Sequence, residues 1–430
     1  MPKLKPETQK DRSQHEDFET LLARTTKEVS AIPTLRGIRE LEGASVRELV
    51  DGIVRYAYLS GASDIHVDPS ELSVVVRFRI DGILHDVLML PRRIQSMVIT
   101  RIKVLSELRT DEHQAPQDGR FRLIFDNLPV DIRVSIIPTF YGENVVMRLL
   151  VGHARALELE ELGFNERDLE KVRANMKKSY GMILATGPTG SGKTTTLYSI
   201  LQILNQRERS IITIEDPIEY AIAGLTQIQV NPQTDLSFAH GLRAIVRQDP
   251  NIIMVGEIRD EDTASIAINA AMTGHLLLST LHTNDAAVTL PRLIDMGIEP
   301  FMIASTVNIA IGQRLIRKLC SCATRRRLTT LEQDSLSAIV PREVLDRFDA
   351  FAEPVGCQNC NNTGYVGRVG IYEVLEVTER VRHMIMREEN ADRIRKTAVE
   401  EGMTTMMVDG LEKAARGITS IAEVLRVIHE

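Results

Sequence analysis

Eight consecutive residues, Gly187-Pro188-Thr189-Gly190-Ser191-Gly192-Lys193-Thr194, fit the pattern G-x-x-x-x-G-K-[ST], and Thr195 extends the run. The uncharged stretch before them, 181–186, reads as a buried strand, and the uncharged stretch 194–204 reads as a helix. The motif therefore sits in the strand–loop–helix setting that a phosphate-binding loop requires. Three glycines let the backbone turn tightly enough for successive N–H groups and the helix N-terminus to face phosphate oxygens. Lys193 can reach the β- and γ-phosphates, and the Thr194 hydroxyl is placed for Mg²⁺. A nucleoside triphosphate is the expected ligand.

Three downstream blocks end in residues that could complete such a site. In Ile212-Thr-Ile-Glu215-Asp216-Pro-Ile-Glu219 the carboxylates of Glu215 and Glu219 follow an apolar strand, where they can position Mg²⁺ or an attacking water. Capping a helix is the plainer reading of acids after a strand, and the phosphate loop tips the balance. The apolar run Ile252-Ile-Met-Val ends in Gly256-Glu257, the form of a Walker B element with glutamate for the more usual aspartate. Glu257 could then hold the metal or activate water. His282 ends the strand-like run 276–281, near the expected γ-phosphate.

Arginines form a further set. Arg243 and Arg247 lie one helical turn apart, and Arg120, Arg133 and Arg148 lie far upstream. Surface ion pairs are the default for arginine. Phosphoryl transfer nevertheless gains from a guanidinium against developing charge, and one supplied by another domain couples hydrolysis to movement. The four cysteines fall in two tight pairs, Cys320-Ser-Cys322 and Cys357-Gln-Asn-Cys360. That grouping suggests four thiolates around one tetrahedral Zn²⁺, with a decayed set of free thiols as the alternative.

Elements able to hold these residues can be read from hydrophobic period. Residues 46–57 have helical spacing, 72–80, 85–90, 121–125 and 130–137 alternate as strands, and 93–108 looks helical. Asp81-Gly82 and Asp126-Asn127 read as turns. We therefore expect an α+β small domain with an antiparallel sheet over 45–150, after a flexible polar arm at 1–44. Beyond a linker at 151–158, apolar strands at 181–186, 210–215, 251–256 and 276–281 alternate with helices, the signature of a helix-covered parallel sheet. This RecA-like α/β domain would fill 159–430, with a cysteine subdomain near 318–370 and a helical part over 379–430 broken at Gly402 and Gly417. The uncharged segment 263–284 reads as a small-residue helix and a strand, not a membrane span.

An apolar fraction of 43% and a charged fraction of 26% suit an ordinary soluble globular chain. With no tryptophan and a net charge of −7, base-stacking surfaces and global attraction to nucleic acid are not expected. The N-terminus has no signal-peptide core, so a cytoplasmic protein is expected.

Taken together, the blocks resemble the secretion ATPase superfamily, specifically the assembly ATPases of type IV pili and type II secretion. The stretches that carry the resemblance are ATGPTGSGKTTTLYSIL, ITIEDPIEY, LRAIVRQDPNIIMVGEIRD and TGHLLLSTLHTNDA, with ASDIHVDP, VRFRIDGIL, PQDGR and DIRVSIIPTFYGENVVMRLL upstream. It runs from about Ser45 to the C-terminus. It implies an ATP-driven homohexamer beneath the inner membrane, whose domain rotation moves a membrane platform protein. On this sequence it implies phosphate and Mg²⁺ at Lys193 and Thr194, an acidic box at Glu215 and Glu219, and the Walker B acid at Glu257. His282 would sense the γ-phosphate, with Arg120, Arg133 and Arg148 offered across the subunit boundary. Zinc at the cysteines is usual for assembly members, although C-x-C here replaces the more typical C-x-x-C. Only about 44 residues precede the similar region, so docking through the family's N-terminal module is not expected. A retraction motor is the nearest rival, a nucleic-acid translocase the rival from another class, and a non-hydrolysing scaffold the weakest.

Overall fold

Five apolar runs alternate their side chains between two cores, and that alternation builds the largest of three sheets. In the computed structural model, which describes residues 46–125, 128–151, 157–337, 340, 345, 348, 350–360 and 362–429, the chain divides into two compact units, Met1–Ala154 and Arg155–Glu430. The arm expected at 1–44, the Asp126-Asn127 turn and most of the expected linker lie outside the described residues.

In the first unit, α1 (Val46–Leu59) precedes β1 (Ala62–Pro69), β2 (Ser73–Ile80) and β3 (Ile83–Pro91). Then come α2 (Gln95–Leu105), β4 (Gln117–Phe125), β5 (Leu128–Thr139) and β6 (Gly142–Val151). The strands pair antiparallel in the order β3-β2-β1-β6-β5-β4. One sheet face, with Ile65, Val67, Val76, Phe78, Ile132, Val134, Val145 and Met147, packs on Val50, Val54 and Ala57 of α1 and Val98 and Ile102 of α2. The expected turn is present: Ile80 pairs with Ile83, and Asp81 and Gly82 both adopt positive φ, as a two-residue hairpin loop requires. Strand β1 was not expected. In β1, Asp64, His66 and Asp68 alternate with the buried Ile65 and Val67, a half-polar pattern with too few apolar residues to stand out.

The second unit opens with α3 (Glu166–Met176), β7 (Gly181–Thr186), α4 (Lys193–Leu204), β8 (Ile211–Glu215) and β9 (Thr226–Gln229). It continues through α5 (Phe238–Ile245), β10 (Ile252–Val255), α6 (Glu261–Met272) and β11 (Leu276–Leu281). Next are α7 (Thr289–Asp295), α8 (Pro300–Thr306), β12 (Val307–Leu319), β13 (Thr324–Arg326), α9 (Thr330–Ser337), β14 (Phe351–Glu353) and β15 (Tyr365–Glu376). Four helices close the chain: α10 (Glu379–Met386), α11 (Ala391–Glu400), α12 (Met406–Ala415) and α13 (Ile421–His429). The seven-stranded sheet has the order β15-β12-β7-β11-β10-β8-β9, parallel except for β15.

Met182, Leu184, Ile212, Ile214, Ile253 and Val255 face one core, with α5, α6, α7, α8, α10 and α11. Ile183, Ala185, Ile211, Ile252 and Met254 face the other, with α3 and α4. Burial on both faces is why these strands read as unbroken apolar runs. The four short strands match their expected positions, and helix breaks fall at Gly402 and Gly417, both at positive φ. The 263–284 segment is α6 followed by β11, and among the described residues no helix is long and apolar enough to cross a membrane.

A buried ion pair ties α2 to β6. Lys103 is fully enclosed, its Nζ 2.6 Å from Glu143 Oε1 and donating to the Glu112 carbonyl at 2.5 Å, while His113 Nδ1 lies 2.9 Å from Glu143 Oε2. Glu143→Ala leaves a buried ammonium without its counter-charge and should cost the first unit about 3–5 kcal/mol in urea unfolding. The pair Lys103→Met with Glu143→Leu should recover most of that loss.

Candidate functional site

Parallel strands that share register end side by side, so whatever follows them converges. Thr186 of β7 pairs with Leu281 of β11, and Val255 of β10 pairs with Ser279 of β11. The residues after these ends are the phosphate loop, Gly256-Glu257, and His282. Open α/β sheets bind ligands outside this carboxyl edge.

The loop has the geometry of a phosphate cradle. Gly187, Gly190 and Gly192 all have positive φ, and α4 begins directly at Lys193. A Cβ at Gly187 would lie 2.4 Å from the Gln313 carbonyl oxygen, so only glycine lets β12 approach this closely. Gln313 Nε2 also donates to the Ser191 carbonyl at 2.8 Å, buttressing the loop from below. Pro188, Thr189, Gly190 and Thr195 are exposed and Thr194 half-buried, so the loop's outer side faces solvent. Lys193, 8% exposed, donates to the carbonyls of Gly187 at 2.8 Å and Pro188 at 3.0 Å.

Glu257 lies opposite that loop. Its Oε2 is 3.0 Å from His282 Nε2 and its Oε1 is 2.5 Å from Arg259 Nη2. Its charge is close enough to act on Lys193. The second unit thus gathers Lys193, Glu257 and His282, with Arg259 added. Glu215 is differently engaged. Its buried carboxylate accepts hydrogen bonds from the Tyr198 hydroxyl, from Thr213 Oγ1 at 2.6 Å and from Gln227 Nε2 at 3.2 Å, locking α4 and β9 onto the end of β8. Burial and the Glu215 carboxylate push the Tyr198 phenol well above its ordinary range, so it stays a donor. The Glu219 amide approaches the same hydroxyl at 3.4 Å.

The first unit places its arginines in one row. Arg79, Asp64, Arg148, Arg133 and Arg120 are successive cross-strand partners on β2, β1, β6, β5 and β4, on the face away from the core. Asp64 is 2.9 Å from Arg148 Nε and 3.7 Å from Arg79 Nε. Arg243 and Arg247 have local uses: Arg243 is 3.5 Å from Asp262, and Arg247 donates to the Arg243 carbonyl.

The four cysteines cluster. Sulfur separations are 3.7 Å for Cys320–Cys357, 3.7 Å for Cys357–Cys360 and 3.9 Å for Cys322–Cys360, and all four sulfurs lie within 4.8 Å of one another. Tetrahedral zinc with bonds of ~2.3 Å has edges of about 3.8 Å, so the set fits that ion. Amides of Cys357 and Gly364 point at Cys360 Sγ at 3.1 and 3.2 Å, as a thiolate requires.

Sequence reasoning missed Gln313, Arg314, Tyr198 and Arg259. The phosphate loop directs attention to itself, whereas Gln313 and Arg314 come from a strand about 120 residues later, their only signal being two polar residues inside an apolar run.

Residues 39–426 match the family described as "Type II/IV secretion system protein". Type II secretion system ATPase E of Vibrio cholerae is 45% identical over 389 residues, covering 90% of this chain and 76% of its own. Type IV pilus assembly ATPase PilB of Myxococcus xanthus is 43% identical over 385 residues, 89% of this chain and 68% of its own. Among solved structures, the pilus retraction motor PilT with bound ADP superposes with a TM-score of 0.59 at 26% identity, over 89% of this chain and 96% of its own.

Burial pushes the Lys193 ammonium down to about 8, with Arg314 adding to the effect and Glu257 opposing it. A bound polyphosphate favours the charged form, so the complex holds more protons than the free protein above that pH. Nucleotide binding should therefore take up a fraction of a proton at pH 8.5 and weaken as pH rises further. Calorimetry in two buffers of different ionisation enthalpy checks this; equal heats in both would refute it.

Proposed function

This chain belongs to the type II/IV secretion system protein family, and from that premise we propose that it is a Mg²⁺-dependent ATPase whose hexameric ring powers assembly of a type IV pilus-like or type II secretion filament. The observation that carries the reading is the convergence of Lys193, Glu257 and His282 on one edge of the parallel sheet. Lys193 exchanges its loop carbonyls for β- and γ-phosphate oxygens. The Thr194 hydroxyl and Glu257 would hold Mg²⁺, which would supply charge neutralisation at the phosphoryl group. His282, exposed and bonded to Glu257, is set to report the γ-phosphate. Glu215, with Glu219 after it, fixes the end of β8 beside the site.

The arginine row supplies the missing positive charge. Arg120, Arg133 and Arg148 act on the nucleotide from a small domain that moves as the ring turns over, the neighbour's or the chain's own. Charge aimed at the developing transition state accelerates the reaction because it needs no reorganisation as the reaction proceeds. The relatives at 45% and 43% identity are a secretion ATPase and a pilus assembly ATPase, against 26% for the retraction motor, which favours assembly. We also assign one Zn²⁺ to Cys320, Cys322, Cys357 and Cys360. The inner-membrane platform protein is the expected partner, with the protein itself on the cytoplasmic side and no nucleic acid involved.

Mixing provides the test of sharing. Arg133→Ala and Lys193→Ala chains should each be nearly inactive alone, and their mixture should recover part of the activity. No recovery, with Arg133→Ala as active as the parent at all dilutions, would exclude the shared site. For the metal, protein purified without added zinc should contain one Zn²⁺ per chain by elemental analysis. Substoichiometric zinc in every preparation would instead mean free thiols.

A further inference from the structure

Glu373 is a buried carboxylate that the reading above leaves without a task. It stands on β15 opposite Gly312 of β12 and is 3% exposed. Its Oε1 accepts a hydrogen bond from the Ala286 amide at 2.7 Å, and the Met406 amide at the start of α12 is near enough to favour its charged form. The missing side chain at Gly312 opens the passage. A Cβ there would lie 2.8 Å from Glu373 Cγ and 3.0 Å from the Ala286 nitrogen.

Ala286 closes the loop that begins at His282. The other fastenings of that loop are equally specific. Thr186 Oγ1, one residue before the phosphate loop, donates to the Thr283 carbonyl at 2.9 Å. Asp285 Oδ2 pairs with Arg395 Nη2 of α11 at 2.6 Å, and Asp285 Oδ1 accepts from the Val288 amide at 2.9 Å. One end of the loop is thus tied to the phosphate loop's strand, the other to α11 and to β15, whose Tyr372 amide donates to Asp409 of α12 at 2.9 Å.

We propose that Glu373 is a positioning residue for nucleotide turnover: by holding the 286 amide it sets where His282 stands, and with the Asp285–Arg395 pair it couples α11 and α12 to the γ-phosphate end of the site. The proposal rests on the role given to His282 above. A buried, hydrogen-bonded anchor crossing a strand through a glycine gap is poorly explained by packing alone, since an apolar side chain would fill the same space without the desolvation cost. Burial pushes the Glu373 carboxyl up to about 7, the Ala286 and Met406 amides opposing it, so a carboxamide is a close substitute.

Two variants of the full-length chain separate anchoring from filling. Glu373→Leu keeps the volume and removes the acceptor; Glu373→Gln keeps both. Loss of a buried acceptor should make amide exchange in 282–288 about tenfold faster in Glu373→Leu and lower kcat about tenfold, with KM for ATP within about threefold of the parent. Glu373→Gln should restore both to within about threefold. His282→Ala serves as the control for the underlying reading. If it is inactive while Glu373→Leu exchanges and turns over normally, the anchoring proposal fails alone. Normal turnover in His282→Ala overturns both. Faster exchange in Glu373→Leu with unchanged kcat overturns the coupling to turnover.

Discussion

Two-sided burial of the central parallel strands is the constraint from which the rest of the second unit follows. Strands β7, β8, β10 and β11 are covered on both faces, so a charged side chain within them would be desolvated without a partner. Polar chemistry is displaced to their carboxyl ends, where the backbone leaves the sheet and water can enter. Two of the hydroxyls inside are spent on the neighbouring strand's backbone: Ser279 donates to the Val255 carbonyl and Thr280 to that of Gly256. These bonds hold β10 and β11 level, and that levelling brings Glu257 and His282 within hydrogen-bond distance.

The second pair of strands does different work. Strand β12 presses Gln313 against the phosphate loop, and β15 sends Glu373 through the gap at Gly312 to the loop after His282. Both strands then run on toward the cysteine cluster. There Glu423 of α13 accepts from Arg317 Nη2 at 2.8 Å and from the Arg317 amide at 3.1 Å, while Tyr365 and Ser420 share a 2.7 Å hydrogen bond. Arg317 and two bonds from Arg426 overcome burial and hold the Glu423 carboxyl down at about 2. Strands β12 and β15 thus make contacts with the C-terminal helices toward one end and with the nucleotide edge toward the other.

In the first unit, four arginines share a single cross-strand row with one aspartate, and like charges facing each other across strands repel. Asp64, nearly buried between Arg79 and Arg148, offsets part of that repulsion. The opposite face carries the core, so charge and stability are divided between the two sides of one sheet.

The short parallel strands, the phosphate loop and the helix breaks at Gly402 and Gly417 were legible in the sequence because each depends on local chemistry: apolar runs, glycine at positive φ, hydrophobic period. The cysteine grouping was legible for the same reason, as ligand spacing is a local property. Strand β1 escaped because its buried Ile65 and Val67 alternate with the polar Asp64, His66 and Asp68. Glu215 was recognisable as an acid after a strand, but that it would be enclosed by Tyr198, Thr213 and Gln227 depended on where α4 and β9 pack. The same holds for Gln313, Arg314 and Glu373, which reach the nucleotide edge only because β12 inserts beside β7 and β15 beside β12. Sequence by itself determined which groups could do chemistry on a phosphate. Tertiary structure alone decided which of them meet, because strand order in a sheet is set by packing between segments more than 100 residues apart and leaves no periodic trace along the chain.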